Sequence, residues 1–109
     1  MNSQKMYNAY IEAVFFTDTG DTDQPSSNQE LTPYFTSKAH IDCSNFLRAI
    51  TGIGIEFDYE QLGHDLWLTR NGHGTGFWDR PEIYGKQLSD FFTRISYAMG
   101  SHDSEFELN

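Results

Sequence analysis

Both tryptophans of the chain, two of its four histidines and four of its nine glycines fall within one run, Gly63 to Arg80, GHDLWLTRNGHGTGFWDR. Any architecture has to accommodate that run first. At its middle sits Asn71-Gly72, a dipeptide favoured in tight hairpin turns because both residues tolerate positive φ. Leu66, Trp67, Leu68 and Thr69 suit a pleated strand, and Thr75 to Asp79 would return as its mate. The spacing predicts an antiparallel hairpin over residues 63–80.

Register decides what such a hairpin displays. With a loop of two or four residues centred on Gly72 and His73, Leu68 pairs with Phe77, Trp67 with Trp78 and Asp65 with Arg80. Leu66, Leu68 and Phe77 then face a core, while Asp65, Trp67, Thr69, Trp78 and Arg80 share the outer face. A three-residue loop would instead set Trp67 beside Phe77 and reverse the facing of the second strand. Tryptophan and arginine are favoured anchors of protein contacts. The expected binding surface is therefore Asp65, Trp67, Thr69, Arg70, His73, Trp78 and Arg80, with burial of both tryptophans as the competing reading.

The flanking segments complete the picture. Residues 5–17, KMYNAYIEAVFFT, fit a helix with Tyr7, Tyr10, Ile11, Val14 and Phe15 on one face, or a strand with Tyr7, Ala9, Ile11, Ala13 and Phe15 alternating. The alanines and Glu12 favour the helix. Residues 18–31 read as a mobile acidic linker, whose Asp18, Asp21 and Asp23 lack the spacing of a calcium loop. Thr32-Pro33 starts a helix that runs to about Ile50. Its apolar stripe is Phe35, Ala39, Cys43, Phe46, Leu47 and Ile50, with Lys38, Asp42, Asn45 and Arg48 outward. Ile53 to Leu62 reads as an extended connector or one short helical turn.

After the hairpin, Asp79 is placed to cap a helix that carries Pro81 in its first turn and runs to about Met99. Tyr84, Leu88, Phe91, Phe92, Ile95, Ala98 and Met99 form its apolar face. Ser104 to Leu108 alternates like an edge strand able to join the hairpin. The expected fold class is α+β, a single domain over residues 1–109, with three helices and a small antiparallel sheet made of the central hairpin and the C-terminal strand.

Charge and composition narrow the function classes. Seven basic against sixteen acidic residues give a formal charge of −9, which opposes a phosphate backbone and favours a basic protein partner. No direct nucleic-acid binding is expected. The lone Cys43 excludes an internal disulfide and fits a reducing cytoplasm. Met1 to Lys5 leads into a mixed polar stretch, so neither a signal peptide nor a membrane span is expected.

No cofactor and no metal are expected. Gly72, Gly74 and Gly76 match neither the dinucleotide nor the Walker spacing. A small enzyme or ligand-binding protein using His64, Asp65, Arg70, His73 and Arg80 is the alternative, and no catalytic residue is assigned. Neighbours on a strand point to opposite faces, which weakens that cluster, and histidines at a strand end or turn often serve local backbone groups.

The run GHDLWLTRNGHGTGFWDR resembles the signature of a widespread family of short, acidic, uncharacterised tailed-bacteriophage proteins. YIEA at Tyr10 to Ala13, and Asp42-Cys43 with Phe46, resemble its upstream landmarks. The resemblance implies a phage-encoded accessory protein in the cytoplasm of the infected bacterium, with a helical first segment. Added to the charge and the tryptophan face, it leads to an expected role in binding and modulating a host or anti-phage-defence protein, with acidic mimicry of nucleic acid as a special case. A structural or homo-oligomer-forming module is the third reading.

Overall fold

The computed structural model describes residues 2–19, 29–54, 56–102 and 106–108. Among the described residues five α-helices follow one another: α1 Asn2–Thr19, α2 Pro33–Ile50, α3 Tyr59–Arg70, α4 Pro81–Tyr84 and α5 Lys86–Met99. Single 3-10 turns occupy Thr51–Ile53 and Phe77–Asp79. Most of the expected acidic linker, residues 20–28, lies outside the described residues, and with it the expected mobility.

The architecture is all-α, which corrects the α+β expectation. Among the described residues, strand-like backbone is confined to a three-residue antiparallel pairing of β1 Gln29–Leu31 with β2 Phe106–Leu108. That pairing joins two distant parts of the chain and forms no layer of the core. The C-terminal segment thus meets the residues before α2, not a hairpin.

No hairpin forms over residues 63–80, because a helix starts upstream and runs through the expected first strand. Asp58 caps α3, its Oδ1 accepting from Glu60 N at 3.1 Å and Gln61 N at 3.2 Å, which satisfies two orphan amides of the first turn. Leu62, Leu66 and Thr69, beside Gly63, Trp67 and Arg70, then form a wide buried face at three- and four-residue spacing. Asn71-Gly72 ends this helix. Gly72 N donates to Thr69 O at 3.3 Å and His73 N to Leu68 O at 3.1 Å, with Gly72 at φ 67°. This pair of bonds is the Schellman arrangement, in which glycine supplies the left-handed residue just past the helix.

Helix α1 settles the first segment as helical, and it lies against α3 with little space between. A Cβ at Gly63 would overlap the Met6 carbonyl oxygen and sit 2.9 Å from Tyr10 N. Glycine here is a contact surface between two backbones. Helix α2 begins where expected, with Thr32 Oγ1 accepting from Phe35 N at 3.2 Å. Its residues Phe35, Ala39, Cys43, Phe46 and Ile50 are buried. Asp42, expected outward, is also buried, because a partner from α3 reaches it.

The expected long last helix is divided. Gly85, at φ 81°, separates the single turn α4 from α5. Asp79 does not cap it: Arg80 stands at the N-cap without a side-chain bond, and Asp79 Oδ2 accepts from Thr75 Oγ1 at 3.0 Å.

Two aromatic groups fill the core. Tyr10 and Phe35 both meet the Trp67 ring edge-on, at 5.5 and 6.1 Å between centroids. Phe77 stacks on Phe46 at 5.4 Å and meets Tyr84 and Phe92 edge-on. Edge-to-face pairs of this kind add about 1 kcal/mol each beyond their area. Trp67 and Phe77, both from the run Gly63 to Arg80, are central to one group each.

Candidate functional site

The run from Gly63 to Arg80 consists of the end of α3, a glycine-rich loop and the 3-10 turn that leads into α4. Of its fourteen non-glycine residues only His73, Trp78 and Asp79 are exposed. Asp65 and Thr69 are 0% and 1% exposed, and Trp67 and Arg70 are also buried. Four of the seven residues expected to form an outer surface are thus interior, because a helix packed on α1 hides the face that a hairpin would have displayed. Trp78 and His73 are exposed and Arg80 is half-buried.

Arg70 ties three elements together. Its Nη1 bonds Asp42 Oδ2 at 2.8 Å and Tyr10 Oη at 3.3 Å. Its Nε and Nη2 bond the carbonyls of Gly100 at 2.8 Å and Met99 at 3.2 Å, at the end of α5. Tyr10 Oη shares a 2.7 Å hydrogen bond with His102 Nδ1, and His102 N donates to Asn71 Oδ1 at 2.8 Å. A buried guanidinium satisfied in this way acts as a structural tie.

Burial alone would raise the Asp42 carboxyl, but hydrogen bonds from Arg70 and Lys38 outweigh it and hold it below its ordinary value. Burial pushes the Tyr10 phenol well above its ordinary range. The Cys43 thiol is likewise pushed up, to about 12, chiefly by burial and then by Asp42. A thiol so protonated is no nucleophile.

Asp65 holds a second network. Its Oδ1 accepts from Arg80 Nε at 3.0 Å, and its Oδ2 accepts from Gln61 Nε2 at 3.0 Å and Tyr84 Oη at 2.8 Å. Burial and then the Asp65 charge drive the Tyr84 phenol far upward. The hydrogen bond to Asp65 is the main cause of a raised Arg80. Asp65 and Arg80 do meet, as the hairpin register expected, but across a helix and a loop.

Two further polar side chains of the run tie it to the fold. Trp67 Nε1 donates to Thr17 Oγ1 at 2.9 Å. Thr69 Oγ1 accepts from Phe77 N at 2.9 Å, and a Cβ at Gly76 would overlap that hydroxyl. The ring of His73 lies 5.6 Å from that of Trp67. The set His64, Asp65, Arg70, His73 and Arg80 does not converge: Arg70 bonds Asp42 and Asp65 bonds Arg80, in separate networks. Among the described residues no three His, Cys, Asp or Glu side chains are grouped to hold a metal. An open groove of about 400 Å³ lies elsewhere, lined by Leu47, Ile50, Phe57 and Tyr59 with Glu56.

The large apolar side chain that the run leaves outside is Trp78, 46% exposed, beside the fully buried Phe77. The one-turn helix α4 repeats the pattern, with Tyr84 inside and Ile83 50% exposed. Asp79 and Glu82 are exposed between them. The turn that carries Trp78 is held by Asp79 N to Gly76 O at 3.0 Å and Arg80 N to Phe77 O at 3.1 Å. Trp78 belongs to the surface expected from the sequence, and Ile83 does not. Helical spacing carries the signal for Ile83, since placing Tyr84 on the inner face turns its neighbour outward.

No helix among the described residues is long and apolar enough to cross a membrane. Comparison with protein-family models, curated proteins and solved structures finds no match.

Proposed function

We propose that the chain is a phage-encoded accessory protein of the bacterial cytoplasm that binds a basic surface of a host or defence protein through Trp78 and Ile83. The observation that carries this reading is the exposure of Trp78 on a turn whose backbone and neighbouring Phe77 are anchored in the core. A large ring presented from a fixed backbone loses little freedom on binding, and tryptophan is a frequent anchor of protein contacts. Asp79 and Glu82 flank the two apolar side chains, and the net charge is −9. Such a surface repels acidic partners and draws basic ones. The phage setting comes from the resemblance of the run Gly63 to Arg80.

The test is affinity capture from infected host cells with the wild type and a Trp78→Ala/Ile83→Ala variant, each first shown to be folded by circular dichroism. The expected result is a partner held by the wild type, lost with the variant, and weakened as added salt shortens the screening length. A partner held equally by both proteins, or none at all, would refute the proposal.

A further inference from the structure

Where α2 ends and the chain crosses to α3, the surface opens into a groove of about 400 Å³. Leu47, Ile50 and Thr51 line it from the last turn of α2 and the 3-10 turn beyond, and Phe57 and Tyr59 close it from the connector and the first residue of α3. Each wall is anchored. Ile50 is buried, the Phe57 ring meets Phe92 edge-on at 5.5 Å, and Tyr59 follows the Asp58 cap. Leu47 and both rings are half-buried, so apolar surface faces the opening. The volume falls within the range of about 300–1,000 Å³ of small-ligand sites, which are mostly apolar with a few polar groups.

Charge selects the ligand. Among the described residues the lining holds one charged side chain, Glu56, which is exposed. It joins none of the ion pairs among those residues, whereas the buried Asp42 and Asp65 are each held by an arginine. The end of α2 brings roughly half a negative charge and the start of α1 roughly half a positive one, the latter at Asn2 on the rim. The two helix ends offset each other, and the Glu56 carboxylate sets the sign. Beyond the groove a net charge of −9 acts in the same sense. An anion is repelled by both, and a neutral molecule leaves the carboxylate without a partner. A cation with an apolar body satisfies carboxylate and walls together, and its charge is drawn to the faces of Phe57 and Tyr59 as well.

We propose that this groove is a binding site for a small organic cation, an ammonium carried on an aromatic body, with the body against Leu47, Ile50 and Phe57 and the charge at Glu56. Because the groove is open, it covers only part of such a ligand. The dissociation constant is accordingly on the order of 0.1–1 mM. The site shares no residue with the Trp78 surface and stands without it.

Titration of the protein with 2-phenylethylammonium to about 5 mM, followed by amide chemical shifts, tests it. The expected result is a saturable shift centred on Leu47, Ile50, Glu56 and Phe57, with 2-phenylethanol and 3-phenylpropanoate each at least about fivefold weaker. Glu56→Gln should weaken the ammonium by a similar factor. Glu60→Gln removes the same charge from an exposed position outside the lining and should leave binding within about twofold. No saturable shift, shifts centred elsewhere, equal binding of the alcohol, or equal loss in the two variants would overturn the proposal. So would a lysine-rich amphipathic peptide that binds the groove more tightly than the free amine, or shifts of the same amides on diluting the protein alone, since a partner chain or a second copy would then be the occupant.

Discussion

Gly63→Ala sets two effects of opposite sign against each other. Alanine in a helix interior is favoured over glycine by about 1 kcal/mol, so an unobstructed site would gain stability. Here the added methyl would overlap the Met6 carbonyl oxygen, with Tyr10 N at 2.9 Å and Ala9 Cβ at 3.1 Å. The first two obstacles are helix backbone and cannot rotate aside. Helix α1 must shift, and with it Met6, Tyr10 and Val14, all fully buried. Overpacking of this kind costs about 1–3 kcal/mol or more, so the net effect is a loss of about 2 kcal/mol at the upper end of that range. For a domain of this size the melting temperature then falls by roughly 10 °C. Thermal and urea unfolding followed by circular dichroism would read this directly. Gly52→Ala is the control, since nothing lies within 4 Å of a Cβ there, and it should be neutral or stabilising. A rise in Tm for Gly63→Ala would refute the close approach of α1 and α3.

Three further outcomes follow from the buried networks. Asp65→Ala leaves Tyr84 Oη and Arg80 without their acceptor and should lower stability by about 3 kcal/mol in urea unfolding, tempered by solvent access to Arg80. Asp42, held below its ordinary value of 3.8, contributes stability that is present above that value and lost as pH falls through the lowered one. Asp42→Asn should therefore flatten the acid limb of the stability profile measured between about pH 5 and pH 2. Cys43, fully buried with its thiol pushed up to about 12, should resist a disulfide reagent in the native protein and react only at the rate of unfolding.

Helix α2 is legible in the sequence because its signals are local: a hydroxyl-proline start and an apolar stripe at three- and four-residue spacing. The run 63–80 is not, because Asn-Gly serves two structures that both need positive φ, the tight hairpin turn and the helix terminus. Leu66, Trp67, Leu68 and Thr69 suit a strand by composition. What decides for helix lies upstream, in the Asp58 cap and the packing of Gly63 on α1. Asp42 reads as outward by periodicity and is buried because Arg70, 28 positions away, bonds it. The Tyr10–His102 bond spans 92 positions and leaves no local trace. For the same reason the tryptophans part company. A hairpin in the favoured register would set both on one face, whereas helix followed by turn sends Trp67 inward and Trp78 outward.

Acrylamide quenching of single-tryptophan variants tests that division most directly. Trp78→Phe leaves Trp67, which should be shielded and emit at shorter wavelength. Trp67→Phe, if folded by circular dichroism, leaves Trp78, which should quench several-fold more readily, in keeping with exposures of 2% and 46%. Equal quenching of the two, or the reverse order, would contradict a run that holds the fold with one tryptophan and presents the other.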